Sequence, residues 1–270
     1  MNTSKFARYF TVILFFFCTS CNPFDFSPYD SPYLADGKED LNAKNIEKIS
    51  KIEKADTNYF CFAIISDSHI DYSTLEEAVT HINNDKEILF VIHLGDMTDC
   101  GLSKEYQWTN EKMLKLNIPY IMVIGNHDYR SNGKLIYNEK YGPSSFTFTF
   151  NKTKFVCFDD VVWENNNTYP DFEWLEKSLS DNDRYNQTFV FSHIPPFSDQ
   201  FDTYCESTYN KIITSHNIAL SAHGHNHNYS LDQHYNKGNE WYLVSSYITN
   251  RIYHKVYVSN STFKIENVSF

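Results

Sequence analysis

The side chains with the most chemistry to offer fall in short polar clusters. Asp67 and His69 stand two apart in Ser66-Asp67-Ser68-His69. Asp96 and Asp99 lie in Gly95-Asp96-Met97-Thr98-Asp99, and Asn126, His127 and Asp128 follow Gly125 consecutively. His193 stands alone in Ser192-His193-Ile194-Pro195-Pro196, and three imidazoles alternate in His223-Gly224-His225-Asn226-His227. Carboxylate, amide oxygen and imidazole together suit borderline divalent cations such as Mn, Fe and Zn. A carboxylate such as that of Asp96 can bridge two ions. Two ions roughly 3.5–4 Å apart polarise a phosphoryl group and generate a hydroxide nucleophile. Each cluster alone carries little, since Asp-x-His is most often loop chemistry and Gly-Asp a turn. Their joint occurrence carries the reading.

Positioning these groups falls to the segments that precede them. Residues 59–66 (YFCFAIIS) are a nearly continuous apolar run, as suits a strand buried on both faces. Residues 88–94 and 119–124 predict two more strands, with helices expected over 75–83 and 103–116. That alternation is the rhythm of a mostly parallel sheet. The second half is richer in strands. Residues 145–150 (SFTFTF) alternate strictly, Asn151-Lys152 is a turn signal, and a helix is expected after Pro170. Further strands are expected over 155–158, 188–191, 218–222, 241–246, 252–258 and 263–268. These elements predict an α/β fold of two stacked mixed sheets with helices outside. Most of the metal-competent groups directly follow expected strands, and the carboxyl ends of parallel strands form a ligand crevice. Glycines 95, 125 and 224 permit the tight turns that bring backbone close to the ions.

The ordered set Asp-x-His, Gly-Asp-x-x-Asp, Gly-Asn-His-Asp, isolated His and Gly-His-x-His resembles the calcineurin-like metallophosphoesterase superfamily. Tyr141-Gly142-Pro143, Trp174-Leu175 and Ser192-His193-Ile194-Pro195-Pro196 agree with it, and the resemblance covers 57–270. It implies an αββα sandwich and a hydrolase acting on phosphoric ester bonds, with two divalent metal ions (Mn, Fe or Zn) activating a hydroxide. Carried over residue by residue, it implies Asp67, His69 and His227 on the first ion and Asn126, His193 and His225 on the second, with Asp96 bridging. It implies His127 as leaving-group acid or phosphate donor, oriented by Asp128. Asp99 is expected to be supporting at most, with loop capping an equal alternative, and His223 to pack rather than ligate. Gly-Asp-Met-Thr-Asp-Cys-Gly with Glu105-Tyr106 looks most like the branch of cyclic-nucleotide phosphodiesterase-like enzymes, which favours diesters slightly. A phosphomonoesterase, or a non-catalytic metal- or ligand-binding surface lipoprotein, are the alternatives.

Composition narrows the partners. The chain holds 34 acidic against 23 basic residues, a net charge of −11. Such a chain repels phosphate backbones, which argues against a nucleic-acid polymer and leaves a small phosphate ester as substrate. The aromatic content of 17% reads as sheet packing. Lys5 and Arg8 precede a short apolar run that breaks at Thr19-Ser20-Cys21, a secretory signal pattern. Small residues before Cys21 resemble a bacterial lipoprotein cleavage site. Residues 1–20 are therefore expected to be a signal peptide, with a lipid anchor on Cys21 that holds the exported protein at the bacterial cell envelope membrane, periplasmic or surface-facing. Residues 21–56 are expected as a tether, with a short helix as one option, and 57–270 as the metallophosphoesterase domain. The sequence has no CxxC pair, so a cysteine-based zinc site is not expected, and it selects no disulfide among Cys61, Cys100, Cys157 and Cys205. No protein partner is inferable.

Overall fold

A computed structural model describes residues 39–53, 59–235 and 239–270. The expected signal peptide and most of the expected tether lie outside the described residues. The apolar runs become central strands. β1 (Tyr59–Ile65) lies parallel to β2 (Ile88–His93), and β2 parallel to β3 (Tyr120–Met122). β10 (Ile252–Ser259) pairs antiparallel with the other side of β1, and β11 (Phe263–Ser269) antiparallel with β10. The second sheet is built from β4 (Phe146–Phe150), β5 (Thr153–Cys157), β6 (Gln187–Phe191), β7 (Leu220–His223), β8 (Ser230–Asp232) and β9 (Trp241–Val244). Its order is β4-β5-β6-β7-β9-β8, parallel at the centre with an antiparallel strand at each edge.

The two faces of β1 show why the strand is apolar throughout. Phe60, Phe62 and Ile64 point between the sheets, while Cys61, Ala63 and Ile65 point to the helices on the other side. Phenylalanines fill the space between the sheets. Phe62 stacks on Phe90 at 5.2 Å between ring centroids and meets Phe155 edge-on at 5.6 Å. Large rings bury much apolar area per residue, which accounts for the aromatic richness.

Helices cover both outer faces. α1 (Leu41–Ser50), α2 (Tyr72–Asn84), α3 (Ser103–Met113) and α4 (Gly133–Lys140) lie with the first sheet. α5 (Phe172–Leu179) and α6 (Thr203–Ser215) lie with the second. α2 buries Leu75, Ala78, Val79 and Ile82 on one face, and its N-terminus is capped by the Asp71 carboxylate, which accepts the Thr74 N–H at 3.2 Å.

α1 lies within 21–56, the stretch expected as a tether with a short helix as one option, and it packs on the first sheet. The Asn42 amide donates to the Met122 carbonyl and accepts the Met122 N–H, both at 2.9 Å, so the helix closes the open edge of β3. Ile49 is fully buried. The packed body therefore includes 41–50, and its polar contact residues Asn42 and Asn45 hid the buried face from an apolar pattern. α4, α6 and β8 were not anticipated from sequence. α4 opens on a glycine and β8 is only partly buried. Among the described residues no helix is long and apolar enough to cross a membrane, and Cys61, Cys100, Cys157 and Cys205 are free thiols.

Candidate metal centre

The strand ends bring the polar clusters to one edge. Asp67 and His69 follow β1, Asp96 follows β2, Asn126 to Asp128 follow β3, His193 follows β6, and His225 and His227 follow β7. Backbone bonds lace these loops together: Asp67 N–H donates to the Gly95 carbonyl at 3.0 Å, His69 N–H to Asp96 at 2.9 Å, and Gly224 N–H to His193 at 3.0 Å. Such sharp turns force unusual backbone. Asp67, His69, Asp96, His225 and His227 all have positive φ, between 42° and 67°. Non-glycine residues rarely adopt this region, and clusters of them mark strained functional sites. Gly125 is required by close approach, since a Cβ there would sit 2.3 Å from the Asp96 amide nitrogen and from its Oδ1.

The side chains form two neighbouring groups. Asp67, His69 and His227 form one, with Asp67 Oδ1 3.4 Å from His227 Nε2. Asp96, His193 and His225 form the other, and Asp96 Oδ2 lies 3.2 Å from His193 Nε2 and 3.9 Å from His69 Nε2. Asn126 joins the second group, its Oδ1 3.1 Å from His225 Nδ1. His69, Asp99 and His127 lie together beside them.

The donor set fits divalent cations. His193 Nδ1 carries a proton, because it donates to the Leu94 carbonyl at 2.7 Å. That leaves Nε2 to face the Asp96 carboxylate at 3.2 Å, without meeting hydrogen-bond geometry. His193 Nε2 and His69 Nδ1 are both buried without a hydrogen-bond partner. Partnerless ring nitrogens among buried carboxylates suit a bound positive charge, a proton or a metal cation. The electrostatics agree: burial alone would depress His193, but the Asp96 and Asp67 carboxylates overcome it and push the ring up to about 10. Burial would raise Asp96, yet the His193 ring and its neighbours hold it well below the usual carboxylate range. His225 is depressed to about 4, by burial first and by the His193 charge second.

The group that orients His127 differs from the expectation. Asp128 does not bond to the His127 ring. Its carboxylate is consumed by the N–H groups of Gly125 at 2.9 Å, Met97 at 3.3 Å and Thr98 at 2.9 Å, with the Thr98 hydroxyl at 2.8 Å. It ties the turns after β2 and β3 together. His127 Nδ1 instead donates to the Asp99 carbonyl at 2.8 Å, and the Asp99 Oδ1 lies 3.4 Å away. Capping of that loop falls to Glu105, whose Oε2 accepts from Cys100 and Leu102 N–H. His223 has both ring nitrogens engaged by the hydroxyls of Ser192 and Ser221.

Two acidic residues were missed. Glu164 Oε1 accepts the Asn126 side-chain N–H at 2.9 Å, and its Oε2 is buried without a partner. Asp160, fully buried, accepts the His193 and Ile194 N–H groups at 3.2 and 3.1 Å and fixes the turn after β6. Asp160 comes two residues after the apolar run 155–158, a signal of the kind that picked out Asp67 and Asp96. Glu164 carries no comparable signal.

A two-sheet α/β sandwich with carboxylates and imidazoles gathered at its strand ends defines a class of metal-dependent hydrolase folds. The model of the calcineurin-like phosphoesterase family matches residues 61–229, more than half the chain, and the protein belongs to that family. A protein of Xenorhabdus bovienii named a probable cyclic nucleotide phosphodiesterase is 28% identical over 163 residues, 56% of this chain and 66% of that one. A glycerophosphodiester phosphodiesterase of Enterobacter lignolyticus is 27% identical over 169 residues, 53% of this chain and 57% of that one. The matches thus span less than two thirds of either relative's length. Among solved structures, a dimetal phosphatase from Danio rerio shares the fold with a TM-score of 0.62 at 13% identity, covering 76% of this chain and 98% of that one. GAP50, the anchor in the inner membrane complex of Plasmodium, shares it with a TM-score of 0.61 at 15% identity, covering 78% and 85%.

Proposed function

We propose that the protein hydrolyses phosphate esters with two divalent cations bound, and phosphodiesters ahead of monoesters. The observation that carries this reading is the position of Asp96, whose Oδ2 lies 3.2 Å from His193 and 3.9 Å from His69, between the two groups of donors. Asp67, His69 and His227 would hold one cation and Asn126, His193 and His225 the other, with Asp96 placed to serve both. Bound cations supply positive charge to the phosphoryl oxygens and acidify water. His127 delivers a proton to the leaving oxygen from Nε2, because its Nδ1–H is tied to the Asp99 carbonyl. The Asp99 carboxylate lies 3.4 Å from that same nitrogen and helps to fix the ring's orientation.

The preference for diesters is supported by the names of the two relatives, one on cyclic nucleotides and one on glycerophosphodiesters. Paired assays with bis(p-nitrophenyl) phosphate and p-nitrophenyl phosphate test it. Faster turnover of the diester is expected, and faster turnover of the monoester overturns the preference. The location is part of the same proposal, supported by the signal pattern and Thr19-Ser20-Cys21. Cys21→Ser should move the protein from the membrane to the soluble fraction, and continued membrane association refutes lipidation.

A further inference from the structure

On the Asn126 side of the cluster a cavity of about 240 Å³ opens between the loop after β5 and the loop between β6 and α6. Trp163, Asn167 and Tyr169 line it from the first loop, and Asp199, Gln200 and Asp202 from the second. Two links place it near the candidate metal centre. Trp163 adjoins Glu164, whose carboxylate holds the Asn126 amide, and the charge of Asp199 acts on His225.

The chemistry of this cavity is one-sided. Gln200 is only 3% exposed, yet its Oε1 has no hydrogen-bond partner. A buried acceptor left unmet costs stability until a donor reaches it. Asp202 is held in place by the Cys205 N–H and the Tyr169 hydroxyl, both at 2.8 Å, and so presents a fixed negative charge. Asp199 adds a second, exposed one. Trp163 and Tyr169 are about half exposed, and ring faces of this kind attract cations. None of the described residues lining the cavity is Lys, Arg or His. Acceptors, carboxylates and ring faces together suit a cation that also brings N–H donors.

We propose that this cavity is a subsite for a primary ammonium group on one substituent of a phosphodiester, so that the enzyme prefers diesters of an amino alcohol. The inference rests on the phosphodiesterase reading above. The phosphoryl group sits at the cluster of Asp96, His127 and His193, and the ammonium group reaches past Trp163 to Gln200 and Asp199. A primary ammonium fits better than a quaternary one, because only the former can donate to Gln200 Oε1.

The test uses the full-length, metal-loaded protein and three esters with one leaving group: p-nitrophenyl 2-aminoethyl phosphate, its 2-trimethylammonioethyl counterpart and p-nitrophenyl ethyl phosphate. The aminoethyl ester should lead the ethyl ester by about tenfold in kcat/KM, the scale of a well-placed cation contact. That lead should shrink to about twofold or less in Asp199→Asn and in Gln200→Leu. Asp199 is exposed, so its variant decides the matter if the buried Gln200→Leu fails to fold. Equal rates for the aminoethyl and ethyl esters overturn the subsite and leave the phosphodiesterase reading standing. A trimethylammonioethyl ester as good as the aminoethyl one overturns the assignment to a primary ammonium. Failure to cleave any of the three, with p-nitrophenyl phosphate still cleaved, overturns the diester reading and the subsite with it.

Discussion

Glu164 offers a sharp test of how the second group of donors is held. Its Oε1 accepts the Asn126 N–H at 2.9 Å. A carboxylate can only accept, so the Asn126 amide must turn its nitrogen toward Glu164 and its oxygen toward His225 Nδ1, 3.1 Å away. Glu164→Ala removes that constraint, and the amide can then present either end. Outer partners of metal ligands typically contribute 10–100-fold in affinity, or about 1.4–2.8 kcal/mol. Glu164 bonds to Asn126 and not to the Asp67, His69 and His227 group, so the loss should fall on one ion of two. Equilibrium dialysis of Mn²⁺ against the full-length protein should show one dissociation constant raised by about 10–100-fold and the other unchanged. Glu164→Gln, which keeps an acceptor oxygen, should lose less. Two ions bound with wild-type affinities in Glu164→Ala, or both weakened alike, would refute the reasoning.

Other consequences are equally direct. His127→Ala should keep its bound metal and lose roughly 10²–10⁴-fold in turnover, as measured by metal analysis beside steady-state rates; a loss of metal would make the residue a ligand instead. Burial pushes the Asp160 carboxyl up to about 7 from its ordinary value of 3.8. The folded metal-free protein then keeps a proton that the unfolded chain releases, so this group's contribution is fully present below about pH 4 and is lost as pH rises through about 7. Urea midpoints should fall less steeply over that range in Asp160→Asn than in the wild type, and equal slopes would remove Asp160 as the cause. Phe62→Ala should cost about 3–5 kcal/mol in urea unfolding, because the ring is fully buried between the sheets; a cost below about 1 kcal/mol would contradict that packing.

Some features were readable from sequence because they depend on residue type and local period. The run over 59–66 is apolar at every position that β1 buries, and the donors follow the strands in a fixed order. Other features depend on how turns aim their side chains. Asp99 and Asp128 are both carboxylates beside His127, and only the path of the two loops decides that Asp99 meets the ring while Asp128 ties the turns together. The Glu164–Asn126 bond joins residues 38 apart through a side-chain amide, a pairing with no sequence period. The packing of α1 on β3, though not the helix itself, escaped for a related reason: what it buries there includes Asn42, a polar residue satisfied only in the folded chain.

The central claim is that Asp96 is shared by two bound cations that drive phosphoester hydrolysis. Metal analysis of wild-type protein and Asp96→Ala after loading with Mn, Fe or Zn, paired with turnover of bis(p-nitrophenyl) phosphate, tests it most directly. About two ions per wild-type chain, metal-dependent turnover, and loss of both ions and of turnover in the variant are expected. Full metal content in Asp96→Ala, or a wild-type protein that holds two ions and cleaves neither diester nor monoester, would contradict it.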